Sequence, residues 1–204
     1  MKKLLSAILV CSLMAICGTS CKSENKNSNS ESKAAVTYNE AQKGDSGEEA
    51  LKEFFRLNYT RDSGEAAFNY MYIQQIIDDM IEKGEYRQSV LNYNNGKNEY
   101  LDLVSNVPYV KSIDKTTPLN EEELGWAEQY FIDYAASMGI TIDSVNVTEG
   151  YNFECTIIDQ NNNEKPDTEC LVKVEGDGWK YIGSLNSLTS MYGSGAKTTS
   201  AAAE

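Results

Sequence analysis

The sequence predicts an α+β domain, from two observations. Apolar residues recur at helical spacing from residue 46 to residue 138, and from Ile140 onward the period drops to two. Helices first, then a run of antiparallel strands, is an α+β architecture with helices packed on a sheet.

The first helix starts at Ser46, with Glu49 three residues on as a capping-box pair. Ala50, Leu51, Phe54, Phe55 and Asn58 fall on one face. A second helix opens after Ser63 and carries Ala66, Ala67, Tyr70, Ile73, Ile77, Met80 and Ile81 at helical spacing as far as Gly84. A third runs from about Glu85 toward Val104, and Asn94-Asn95-Gly96 is expected to break it. Val107 to Thr117 reads as a strand, which Pro108 confines to an edge or to the strand's start.

The next helix carries the clearest signals. Asn120 caps it, Glu121 to Glu123 sit at the positive end of its dipole, and Leu119 can staple onto Leu124. Its apolar face is Leu124, Ala127, Tyr130, Phe131, Tyr134 and Met138, and Gly139 ends it. Val145, Val147, Tyr151, Phe153, Cys155 and Ile157 then hold odd positions of a strand bent at Glu149-Gly150. Asp159 to Asp167 reads as a polar loop. Cys170, Val172 and Val174 alternate along the next strand, Gly176-Asp177-Gly178 makes a tight turn, and Trp179 and Tyr181 are expected on the matching face.

The flanks read differently. Met1-Lys2-Lys3, an apolar run from Leu4 to Cys17 and the small residues Gly18-Thr19-Ser20 form a signal-peptide pattern over 1–20. The run is shorter than the roughly 20 apolar residues a span needs. Cys21, after small residues and before a polar tract, resembles the lipobox of bacterial lipoproteins, with Gly18 where that family usually has Leu, Val or Ile. The resemblance implies cleavage before Cys21 and acylation of that cysteine, as with palmitate. The chain would then be held at the cell membrane on its extracytoplasmic face. Residues 21–45, rich in Ser, Asn, Lys and Glu, cannot bury enough surface to offset ordering and read as a tether. Residues 187–204 read as a disordered tail, which leaves 46–186 as the domain.

Composition narrows the function. The formal charge is −13 and becomes about −15 once Lys2 and Lys3 leave with the leader. Such acidity argues against nucleic acid, whose binding rests on phosphate neutralisation, and against docking on anionic lipid. The chain has no histidine, which removes the commonest general base and metal ligand. Thirteen tyrosines against five phenylalanines could furnish a recognition surface or fill half-buried positions.

Cys155 lies on the apolar face of one strand and Cys170 on that of the next. A hairpin placing them opposite one another would bring both thiols to one side, within reach of a disulfide. Two buried reduced thiols are the alternative. Asp159-Gln160-Asn161-Asn162-Asn163 begins like an EF-hand loop, but Glu164 stands where its glycine is needed and Cys170 where its bidentate Glu is needed, so it reads as a turn. Glu121–Glu123 and Asp78-Asp79 are explained by a helix dipole and a solvated face. The residues call for no catalytic set, metal or cofactor.

Helices followed by an antiparallel meander, closing in Val172-Lys173-Val174-Glu175-Gly176-Asp177-Gly178-Trp179-Lys180-Tyr181-Ile182, resemble the NTF2-like cone domains of many small bacterial lipoproteins over residues 46–186. The resemblance implies a curved sheet and a pocket between helices and sheet, lined by Tyr130, Tyr134, Tyr151 and Trp179. The expected function is a membrane-anchored, non-enzymatic binding or interaction module, with an envelope protein or the cell wall as partner. The alternative is a small-ligand carrier or an enzyme using the cone pocket.

Overall fold

The computed structural model describes residues 46–193. The leader, Cys21 and the tether lie outside the described residues. Helix α1 spans Gly47–Asn58, and Ser46 caps it by accepting the Glu49 N–H at 3.3 Å. Its face of Ala50, Leu51, Phe54, Phe55 and Leu57 is buried.

The helix expected after Ser63 is two helices, α2 (Gly64–Met71) and α3 (Gln74–Glu82). The chain turns extended at Tyr72 and Ile73, and the Asp177 carboxylate accepts the freed Gln74 N–H at 2.6 Å. The break lets Ala67 and Tyr70 fill one core cluster while Ile73, Ile76, Ile77 and Met80 fill another. It also leaves Ile81, assigned by helical spacing to the apolar face, 45% exposed.

Helix α4 (Tyr86–Leu103) runs unbroken through Asn94-Asn95-Gly96. An interior glycine costs a helix about 1 kcal/mol against alanine. Tertiary contacts outweigh that cost. The Asn94 Oδ1 accepts the Gly64 N–H at 2.8 Å, and Lys97 is buried one residue past the glycine.

Strand β1 (Tyr109–Pro118) begins just after Pro108 and lies at the edge of the sheet. Helix α5 (Glu121–Ser137) follows with a complete capping box between Asn120 and Glu123. Strands β2 (Val147–Ile158), β3 (Glu164–Val174) and β4 (Gly178–Tyr181) then complete an antiparallel sheet in the order β1-β2-β3-β4. The β2–β3 loop is shorter than predicted, because Glu164–Asp167 already pair with Cys155–Ile158.

Helices cover both faces of this sheet. On one face α1 packs over Phe153, Cys155, Ile157, Leu171 and Trp179. On the other, α3 and α5 pack over Val147, Cys170, Val172 and Val174. A register shift at Thr148, between Val147 and Glu149, moves β2 from one parity to the other, one residue before the bend expected at Glu149-Gly150, whose two residues pair regularly. Trp179 and Tyr181 pair with Lys173 and Leu171, so they face α1, opposite the Cys170 face where they were expected.

The chain stays ordered past the boundary set at residue 186. Helix α6 (Leu185–Leu188) leads into a π-helical turn, Thr189–Gly193. Leu188 is fully buried in the core cluster that α5 and β3 build, and the Tyr192 hydroxyl donates to Asp133 at 3.0 Å. Sequence polarity missed this anchor because one leucine carries the burial.

Candidate functional site

The four aromatic residues expected to line one pocket lie in two places. Tyr130 and Tyr134 stack with ring centroids 6.0 Å apart on the α5 face, where Tyr134 also meets Tyr72. Tyr151 and Trp179 meet at 6.0 Å on the α1 face. The sheet separates the two pairs.

The two cysteines are likewise separated. In the observed register Cys155 pairs with Asp167 and Cys170 with Asn152. Odd residues therefore oppose odd ones, and the two thiols point to opposite faces of the sheet. Both are free and buried, so the expected disulfide is not formed. Burial pushes each thiol up to about 12, where it is a poor nucleophile at neutral pH.

The Asp159 loop is a turn closed on itself. The Asp159 carboxylate accepts the N–H groups of Asn161 and Asn163 at 2.9 Å each and pairs with Lys165 at 2.5 Å. The Lys165 contact, then these backbone bonds, hold the carboxyl down at about 2, below the usual carboxylate range. Asn162 supplies the left-handed residue of the turn, φ 62°.

Several titratable groups with unusual surroundings lie on the α1 face. Glu169, neighbour to Cys170, is only 7% exposed. Its carboxylate accepts the Tyr181 hydroxyl at 2.6 Å, and Tyr181 stacks on Phe54 of α1 at 4.3 Å and 20°. Burial pushes Glu169 up to about 8, partly offset by the Tyr181 hydrogen bond and reinforced by Asp167. Burial raises Tyr59 and Tyr181 too, and the Glu169 charge adds to both. Glu169 shares parity with Leu171, and that parity was its one sequence signal.

Next to this cluster, a groove of about 190 Å³ runs between α1 and the start of β1. Phe55 and Tyr59 form one wall and Val107–Val110 the other, with Lys52 and Arg56 among the lining residues. Glu53 holds Arg56 through two bonds of 2.6 Å. Lys52 has no ion-pair partner among the described residues. Val107 and Tyr109 are about half exposed. The groove can offer apolar contact and a cation to an extended segment.

Two buried lysines were invisible to sequence patterning. Lys97 donates to the Leu57 carbonyl at 3.3 Å and the Ser63 hydroxyl at 2.9 Å, beside the Tyr93 ring. It thereby places a cation at the negative C-terminal end of α1. Lys180 pairs with Asp177 and donates to the Asn69 carbonyl.

Compared with protein-family models, curated proteins and solved structures, the chain matches none. Among the described residues, no helix is long and apolar enough to cross a membrane.

Proposed function

We propose that this chain is a lipid-anchored extracytoplasmic lipoprotein whose α+β domain works as a non-enzymatic binding module. The observation that carries the reading is the Met1–Cys21 segment: two lysines, an apolar run of signal-peptide length, Gly-Thr-Ser and then cysteine. Acyl chains bind membrane at about 0.8 kcal/mol per buried CH₂, and stable anchoring takes more than one chain. The polar stretch to residue 45 would let the domain reach a partner beyond the bilayer surface. The groove of Phe55, Tyr59 and Val107–Val110 supports the binding half of the reading, since it exposes apolar side chains beside cations on an acidic chain.

The test is metabolic labelling with an alkyne-tagged fatty acid in cells expressing the chain or its Cys21→Ser variant. Labelled wild type in the membrane fraction, with unlabelled variant, supports the proposal. Equal membrane association without label in both would overturn the anchor.

A further inference from the structure

We infer that the seam between α1 and the sheet is a pH-responsive latch, closed while the Glu169 carboxyl is neutral and loosened when it ionises. This goes beyond the anchoring proposal and does not depend on it.

The geometry rests on one hydrogen bond and one stack. Glu169 sits 7% exposed on the α1 face of β3, opposite Phe153. Tyr181 is its one hydrogen-bond donor among the described residues, at 2.6 Å. A buried carboxylate is normally held by several donors or by a cation, and a neutral acid does not need them. The titratable groups bearing on it are Tyr181 of β4, Asp167 and Cys170 of β3, Cys155 of β2 and Tyr59 at the C-terminal cap of α1, with Tyr100 of α4 behind Tyr59. None of these is a cation. Asp167, two residues along on the same face, adds like charge. Tyr181 carries the consequence to α1, because its ring stacks on Phe54. A charge forming at Glu169 is relieved by admitting water, and water enters where Tyr181 and Phe54 part.

The sign follows from linkage. Burial keeps the proton on Glu169 up to about 8, against an ordinary 4.5. Between those values an opened seam releases the proton and a closed one keeps it. The closed-to-open ratio therefore falls as pH rises, by at most about tenfold per unit, and the full effect is present above about 8.

The two cysteines read the latch directly. Cys155 lies under α1 and Cys170 on the opposite face, and burial raises both thiols. The ratio of their labelling rates by a small methanethiosulfonate removes the pH dependence the two thiols share, and the Glu169→Gln variant controls for the direct effect of the Glu169 charge on each. Rates would be mapped by peptide mass on the full-length chain. Between about pH 6 and about pH 9 the Cys155-to-Cys170 ratio should rise about tenfold or more in wild type and stay flat in Glu169→Gln. Tyr181→Phe removes the hydrogen bond that favours the ionised form, so its rise should move to higher pH. That variant decides the matter if Glu169→Gln does not fold. A flat ratio in wild type, an undiminished rise in Glu169→Gln, or a Tyr181→Phe rise at unchanged or lower pH would each overturn the latch.

Discussion

The Lys180 ammonium lies 2.7 Å from the Asp177 carboxylate and 2.7 Å from the Asn69 carbonyl, on a residue only 2% exposed. The same carboxylate accepts the Gln74 N–H at the start of α3. One ion pair thus ties the β3–β4 turn to the end of α2 and the start of α3. Burial lowers the Lys180 ammonium from its usual range, and Asp177 opposes that shift. Removing one partner of such a pair strands the other, at about 3–5 kcal/mol. Lys180→Met should therefore cost about 3 kcal/mol or more in urea unfolding, and Lys180→Met with Asp177→Asn clearly less than the sum of the two singles. Additive losses would mean that the pair is not coupled.

Gly150 marks where α5 meets the sheet. A Cβ there would stand 2.8 Å from Leu119 Cδ1, 2.9 Å from Val172 Cγ1 and 3.1 Å from Leu124 Cδ2. Those leucines are the staple across the start of α5. Gly150→Ala should destabilise the domain by about 1–3 kcal/mol through overpacking, read as a lower unfolding midpoint at unchanged slope. An unchanged midpoint would place α5 farther from β2 than described.

The cysteine arrangement makes a chemical prediction. Denaturation without reductant should expose both Cys155 and Cys170 to iodoacetamide, because no bond joins them. In the native state at neutral pH both should react slowly, since burial excludes the reagent and holds the thiols protonated. A pair that labels only after reduction would require the β2–β3 register to shift by an odd number of residues.

Lys97 should leave a mark on stability against pH. Burial lowers its ammonium to about 8 against the ordinary 10.5, with Asp62 partly compensating. Between those values the unfolded chain binds more protons than the folded one, so this site's contribution improves as pH rises. Below about 8 both states are charged and the full burial penalty is present. The stability difference between wild type and Lys97→Met should therefore move in wild type's favour from about pH 7.5 to about pH 9.5 in paired urea melts. The tyrosines, whose titration is common to both chains, cancel from that difference. A constant difference would contradict the burial of this ammonium.

Local chemistry was legible in the sequence wherever a few neighbouring residues decide it. The Ser46 cap, the Asn120 cap and the Gly139 stop stand where their residues put them, and β2 is irregular one residue before the expected Glu149-Gly150. Features decided by distant contacts were not legible. The break at Tyr72-Ile73 depends on Asp177, about a hundred positions away, and α4 survives Gly96 because of Gly64 and Leu57. Strand parity was readable within each strand but not between strands. Polar Glu164–Asp167 looked like loop, and once they join β3 the pairing of Cys155 changes partner and Cys170 turns to the other face. The candidate site suffered most from this. It was sought among aromatics that the sheet separates, while Glu169, Lys97 and Lys180 are polar residues whose burial no periodicity reveals.

Anchoring at Cys21 is the central claim, and intact mass of the protein purified from its native membrane tests it most directly. The purified protein should begin at Cys21, be heavier than its amino acids by the mass of acyl groups, and lose the ester-linked chains alone on mild base hydrolysis. A mass equal to an unmodified chain, cut near Ser20 or uncut, would contradict it and take the membrane out of the function.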